Sequence, residues 1–101
     1  MQFSSDLRAG VLAGDITVSY RLWKHPQVKV GGRYALGDDV IQIDSIDLVP
    51  FRSVSAVDVR RSGEPDLESL RRRAAHSGPI ADDTVLHRVT FHVVRSTRPA
   101  P

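Results

Sequence analysis

The residues most able to do chemistry lie between positions 14 and 34, where fixed cations alternate with aromatic rings. Because cations bind phosphate and exposed rings stack on bases, this combination predicts a surface for RNA or a nucleotide. We expect the contacts to come from one serine, four cations and one ring: Ser19, Arg21, Lys24, Lys29, Arg33 and Trp23. Binding of this kind should weaken steeply as the salt concentration rises.

The distribution of charge supports this prediction more than its sum does, since the net charge of the chain is only +2. Residues 16–37 contain four fixed cations and no acid, whereas residues 38–58 contain five aspartates and one arginine. Twelve of the fourteen cations are arginine, whose planar group suits phosphate. A genome that favours arginine codons would explain that choice equally well, but it would not explain the clustering.

Composition limits the type of protein. A chain of 101 residues makes one domain that is large enough to fold alone. It has no cysteine, which excludes disulfides and thiolate chemistry and is consistent with a cytoplasmic protein. The first ten residues include Asp6 and Arg8 and no long apolar run, so we predict neither a signal peptide nor a membrane anchor.

The elements that must position these residues follow from apolar periodicity and from turn residues. We predict a helix over 4–13, strands over 16–22, 33–36, 40–51 and 84–94, a helical turn within 53–62, and a helix over 65–76. A change of phase in the third strand predicts a bulge near Asp44 and Ser45. Residues 1–94 would form one α+β domain, and residues 95–101 a frayed tail.

Alternation within the strands predicts which side chains face inward. Tyr20 alternates with Val18 and Leu22 in the first strand, so we expect its ring to be buried. The residues expected on the inner face of the last strand are Val85, His87, Val89, Phe91 and Val93. Pro65 suits the first position of the last helix.

Three segments resemble patterns of one known family. Residues 14–21, Gly-Asp-Ile-Thr-Val-Ser-Tyr-Arg, resemble the G-x-K-x-x-T-x-R pattern of ASCH domains, a branch of the PUA-like superfamily. Residues 31–37 resemble the family's G-x-x-Y-x-x-G segment, and residues 62–70 resemble its E-G-x-x-S-L-E-x-L stretch. The similarity in the order of elements covers about residues 5–94. It implies a PUA-like β-barrel, formed by a curled and mostly antiparallel sheet, with two or three surrounding helices.

The resemblance also implies a range of activities. Some ASCH proteins are thought to bind RNA, some look like ribonucleases, and small bacterial members remove the acetyl group of N4-acetylcytidine. In that last class a lysine, a threonine and a glutamate form the catalytic set, and by position they correspond to Ile16, Ser19 and Glu64. Isoleucine cannot accept a proton, so we expect no amidohydrolase activity, and whether the protein is an enzyme at all stays open.

The candidate site residues also have purely structural interpretations. Arg21 can hold a phosphate, or it can form a salt bridge with Asp15 or with an aspartate of the long strand. Glu64 can take part in chemistry, or it can compensate the dipole of the following helix. Trp23 can stack on a base, or it can fill the core of a small domain.

Other polar clusters predict no further site. Arg72 is spaced to pair with Glu68 at i, i+4, so the run of residues 71–73 is typical of a solvated helix face. His87 and His92 lie on one strand and face opposite sides, so they cannot bind one metal together. We therefore predict no metal and no cofactor.

Three functions remain open at this stage. The leading one is RNA or nucleotide binding through a cationic cleft beside the first strand. The second is a hydrolase that acts on RNA or on modified nucleosides, with Ser19, Arg21 and Glu64 as candidate catalytic residues. The third is a protein-interaction module whose cleft has lost its chemistry. We expect no membrane partner, and the sequence names no protein partner.

Overall fold

A four-stranded antiparallel sheet organises the chain in the computed structural model, which describes residues 3–75 and 78–94. The strands are β1 (Val18–Arg21), β2 (Arg33–Leu36), β3 (Asp39–Pro50) and β4 (Val85–Val94). The helices are α1 (Ser5–Ala13), α2 (Ala56–Arg61) and α3 (Leu67–Ala74), with a short 3-10 turn at Phe51–Ser53. This order confirms the predicted α+β succession of elements. The predicted tail, residues 95–101, lies outside the described residues.

Two long antiparallel strands, β3 and β4, form the centre of the sheet. Their pairing runs from Val40 opposite Val94 to Pro50 opposite Val85, with a shift of register between Ile43 and Ser45. The predicted bulge is therefore confirmed, and Asp44 is the additional residue. A bulge bends its strand and increases the local twist, so β3 bends within its length.

The sheet is not closed into a barrel, so that part of the predicted fold is wrong. The strand order is β1-β4-β3-β2, which leaves β1 and β2 at opposite edges. Each edge strand has only four residues. β1 pairs with residues 87–90 in the middle of β4, whereas β2 pairs with residues 39–42 at the start of β3. The two short edge strands do not pair with each other, so the sheet stays open.

Apolar side chains cover both faces of β4. Val89 and Phe91 belong to one cluster with α1, whereas Leu86 belongs to a second cluster beneath α2 and α3. Successive residues of a strand point to opposite faces. Because both faces of β4 are covered, buried and exposed residues do not alternate strictly along this strand. Val85, predicted to face inward, is 51% exposed, while Leu86 is fully buried.

A polar network joins α2 to the sheet. Asp58 accepts hydrogen bonds from the Tyr20 hydroxyl at 2.5 Å and from Arg88 Nε at 2.8 Å. The hydrogen bond from Arg88, followed by that from Tyr20, holds the pKa of Asp58 below its usual range despite its partial burial. Tyr20 is buried, as predicted. Its ring therefore lies in the core while its hydroxyl anchors a helix.

The start of α3 differs from the prediction by two residues. Asp66 is the N-cap, and its carboxylate accepts from the backbone N–H of Ser69 at 2.7 Å. Pro65 therefore precedes the cap instead of occupying the first helical position. The predicted last residue of this helix, His76, lies outside the described residues.

Candidate functional site

A cleft of about 670 Å³ opens between α1, β1 and α3. Its polar lining consists mainly of five side chains: Ser19, Arg21, Glu64, Arg72 and Arg73. We call it the arginine cleft. Trp23 lies at its edge, and Phe3 and Leu7 contribute an apolar wall. The structure therefore brings the three candidate catalytic residues, Ser19, Arg21 and Glu64, to one cavity.

Strand β1 supplies Ser19 and Arg21 from the same face. Val18 and Tyr20 are buried and the alternate residues are half-buried, which is the alternation that a strand with one covered face requires. Arg21 Nε donates to the Ser19 hydroxyl at 2.7 Å, and its guanidinium lies 5.3 Å from the centre of the Phe3 ring. Burial, and secondly the charge of Arg73, lower the pKa of Arg21. Cations thus crowd this side of the cleft.

Glu64 is a buried carboxylate that also lines the cleft. Its side chain is only 5% exposed, and Arg73 Nε donates to it. Arg73 also donates to the Ser4 hydroxyl and to Asp6, both at 2.9 Å. These contacts raise the pKa of Arg73, the hydrogen bond to Asp6 contributing most. Arg73 therefore links α3 to α1 and is already paired with Glu64, one of the candidate catalytic residues.

Arg72 and Arg73 belong to the site, although the sequence suggested only a solvated helix face. Arg73 follows the buried Leu70 by three positions, so the helical period places both on one side of α3. That spacing is the signal that could have identified it. Glu68 lies 3.7 Å from Arg71, so among the described ion pairs its partner is not the predicted Arg72.

A second groove of about 750 Å³ adjoins the first cleft. We call it the lysine groove, because Lys24 and Lys29 line it beside Trp23 and His87. The rest of its lining is mostly apolar: Pro26, Val28, Val30, Ile46, Leu48 and Val85. The predicted contact residues are thus divided between two cavities, and Trp23 lines both of them.

Arg33 lines neither cavity. It lies on the edge strand β2, where its Nε donates to Gln42 at 3.1 Å. The structure therefore separates this predicted contact residue from the others.

Trp23 and His87 pack together between the groove and the core. Their ring centres are 5.5 Å apart, and Trp23 is half-buried against the first apolar cluster. His87 is 6% exposed, and its Nδ1 has no hydrogen-bond partner among the described residues. Burial, followed by the nearby His25, lowers the pKa of His87. Trp23 therefore packs against the core, as the structural interpretation expects, and the rest of its side chain is accessible to a base.

His92 faces away from His87, as predicted. It is exposed beside the bulge, with Nδ1 at 2.8 Å from a carboxylate oxygen of Asp44. Residues 3–75 and 78–94 contain no cluster of three or more histidines and carboxylates that could hold a metal ion.

Comparison with solved structures places the fold. The chain superposes on the crystal structure of an ASCH domain from Lactobacillus crispatus JV V101 with a TM-score of 0.69, over 87% of this chain and 70% of the other, at 22% sequence identity. The chain has the fold of an ASCH domain. No family model and no curated protein matches its sequence. The expected ASCH resemblance is thus confirmed for the fold, with an open sheet.

Ile16 occupies the position of the lysine in the ASCH pattern, and it is part of the core. It is buried with Leu7 and Val11. The side chain fits between two glycines: a Cβ built on Gly10 or on Gly63 would lie 2.7 or 2.5 Å from Ile16 Cδ1. An apolar contact therefore fills this space, directly beside the segment that carries Glu64.

None of the described helices of this ASCH-like chain has the length and apolar character needed to cross a membrane.

Proposed function

We propose that this ASCH-like protein binds RNA or a nucleotide in the arginine cleft and does not hydrolyse amides. The observation that carries the proposal is the convergence of Arg21, Arg72 and Arg73 on one cavity whose buried acid, Glu64, is already paired with Arg73. An anion that enters the cleft replaces repulsion among guanidinium groups with charge-assisted hydrogen bonds.

The geometry assigns a role to each side of the cleft. Arg72, which is exposed on α3, is the main phosphate donor, because Arg73 is engaged by Glu64 and Asp6. Arg21, bound to Ser19, adds its positive charge to the same cavity. The accessible part of the Trp23 ring at the edge stacks on a base, a contact worth about 1–3 kcal/mol. Of the other predicted contact residues, Lys24 and Lys29 adjoin this site and Arg33 lies outside it.

Fluorescence anisotropy with a labelled single-stranded RNA of eight nucleotides tests the proposal. Arg72→Ala should weaken binding by roughly tenfold or more, since a hydrogen bond to a charged group contributes about 1.5–3 kcal/mol. It should also reduce the slope of log affinity against log salt by about 1. Arg60→Ala is the matched control, because Arg60 is an exposed helical arginine that does not line the cleft. Affinity that does not change with salt would refute the model of phosphate contacts.

The absence of amidohydrolase activity is proposed from the surroundings of Ser19. A serine nucleophile needs a neighbouring base to take its proton. Here the Ser19 oxygen accepts a hydrogen bond from Arg21, the lysine position is the apolar Ile16, and both lysines of the chain line the other groove. Incubation with N4-acetylcytidine should give no turnover; turnover that disappears in Ser19→Ala would contradict the proposal.

A hydrolase acting on RNA or on a modified nucleoside is the second candidate. One observation favours it: Ser19, Arg21 and Glu64 line the same cavity. For this chemistry Glu64 must release its hydrogen bond with Arg73 and accept a proton from the substrate. Cleavage of RNA or of acylated cytidine that is lost in Glu64→Gln, while RNA binding persists, would establish this function.

A further inference from the structure

We propose that the lysine groove holds the neighbouring nucleotide of a single-stranded RNA whose first nucleotide occupies the arginine cleft. The ligand is then a strand of at least two nucleotides, not a mononucleotide. This inference rests on the proposed function and adds a second subsite to it.

The charges of the groove fit a phosphate. Lys24 and Lys29 are the two lysines of the chain, and both are exposed and line this groove. No aspartate or glutamate is among its lining residues. A lysine ammonium on a flexible stem can follow a phosphate that is not held in one fixed geometry. The groove therefore attracts an anionic backbone that leaves the arginine cleft.

The floor of the groove fits a base. Leu48, Val30 and Val85 are 67%, 63% and 51% exposed, which leaves an apolar surface open beside the lysines. The Trp23 and His87 rings form its inner end, 5.5 Å apart. Both rings are flat and have polar nitrogen atoms at their edges, so they can stack on the flat face of a nucleobase and bind its polar edge. An acidic peptide would satisfy the lysines but would make less use of the ring surface.

Trp23 makes the two sites continuous. Trp23 lines both cavities, and it lies between Arg21 and Lys24 in the sequence. A strand whose phosphate meets Arg21 therefore passes over this ring before it reaches Lys24. Successive bases stacked on one aromatic platform are typical of single-strand binding.

The fluorescence of Trp23, the chain's single tryptophan, provides the test. Dissociation constants are measured for uridine 5′-monophosphate and for a trinucleotide of uridine. We expect the trinucleotide to bind at least about fivefold more tightly, the lower end of what one stacked base contributes. The double variant Lys24→Ala, Lys29→Ala should lose that gain and keep the affinity for the monophosphate. Arg52→Ala, Arg60→Ala removes the same charge from exposed positions that line neither cavity, and it should keep the gain.

The outcomes separate this inference from the proposed function. If the monophosphate binds and depends on Arg72 but the trinucleotide gains nothing, the second subsite is refuted while the arginine cleft stands. A gain that survives in the double lysine variant also refutes it. A protein ligand is identified instead if the trinucleotide binds no more tightly than the monophosphate and an acidic, leucine-containing peptide binds in the groove. That peptide should compete with the trinucleotide but not with the monophosphate. If neither nucleotide binds, the proposed function itself fails.

Discussion

Replacement of Gly63 by alanine should destabilise the protein through a contact with Ile16. Gly63 has a φ of +85°, and a Cβ at this position would lie 2.5 Å from Ile16 Cδ1 and 2.9 Å from Leu7 Cδ2. The left-handed conformation costs a residue other than glycine about 1–2 kcal/mol. Overpacking of a filled core adds about 1–3 kcal/mol. We therefore expect the free energy of unfolding to fall by about 2–5 kcal/mol.

Gly37→Ala is the matched control. Gly37 also has a positive φ, +63°, but a Cβ there would have no atom within 4 Å. Only the conformational cost of about 1–2 kcal/mol should remain. Urea unfolding followed by far-ultraviolet circular dichroism measures both variants. Equal losses of stability in the two variants would refute the packing argument and leave only the backbone effect.

A double-mutant cycle locates the contact. Ile16→Val removes the Cδ1 atom, at a cost of its own of about 0.5–1.5 kcal/mol. In that background Gly63→Ala should cost less than in the wild type, although Leu7 Cδ2 at 2.9 Å keeps the relief partial. A coupling energy close to zero would place the strain elsewhere.

Three further predictions concern charged and titratable groups. Asp58→Asn should lower the free energy of unfolding by about 1.5–3 kcal/mol, because Arg88 loses hydrogen bonds to a charged partner. The pKa of Asp58 is lowered in the folded state, so this difference should be complete above the unfolded pKa of about 4 and shrink as the pH falls below it. The pKa of His87 is also lowered by folding. The unfolded chain therefore binds the proton first, and wild-type stability should fall below about pH 6.5 more steeply than that of His87→Gln. Arg73→Met should cost about 1–3 kcal/mol in urea unfolding, because it leaves the buried Glu64 carboxylate without its cation, and the added change Glu64→Gln should recover part of it.

Local patterns predicted most of the elements. The phase change around Asp44 predicted the bulge, because one additional residue reverses the alternation of side chains. The helical turn predicted within residues 53–62 forms as α2, and the Ser55 hydroxyl caps it by accepting from the Asp58 N–H at 3.1 Å. These features depend on neighbours within a few positions, which is the range that a sequence displays directly.

Features that depend on distant segments were predicted less well. Closure of the sheet depends on whether the edge strands β1 and β2 pair with each other, which the sequence of each strand does not reveal. Ile16 was expected to continue the alternation of the first strand. That strand begins only at Val18, and Ile16 joins the cluster of α1 while Val18 joins the other cluster. Glycines at positions 10 and 63 create the space for it, and their proximity is not visible in the sequence.

The residues of the candidate site were also predicted only in part. The cations of residues 21–29 were identified because they are close in sequence, yet they serve two cavities. Arg72 and Arg73 were missed because their neighbours in the cleft come from α1 and β1, far away in the chain. The convergence of Ser19, Arg21 and Glu64 followed from the ASCH resemblance and not from spacing.

The ion pairs of Arg73 also bear on the order in which the molecule folds. Its pair with Glu64 joins residues 9 positions apart, whereas its pair with Asp6 joins residues 67 positions apart. Closing the longer loop costs roughly 1.8 kcal/mol more in chain entropy. We therefore expect α3 and the Glu64 segment to associate first and α1 to dock last. Because α1 carries Leu7 of the cleft wall, the cavity is completed only in this final step. Amide hydrogens of α1 should therefore exchange with solvent before those of the paired strands β3 and β4.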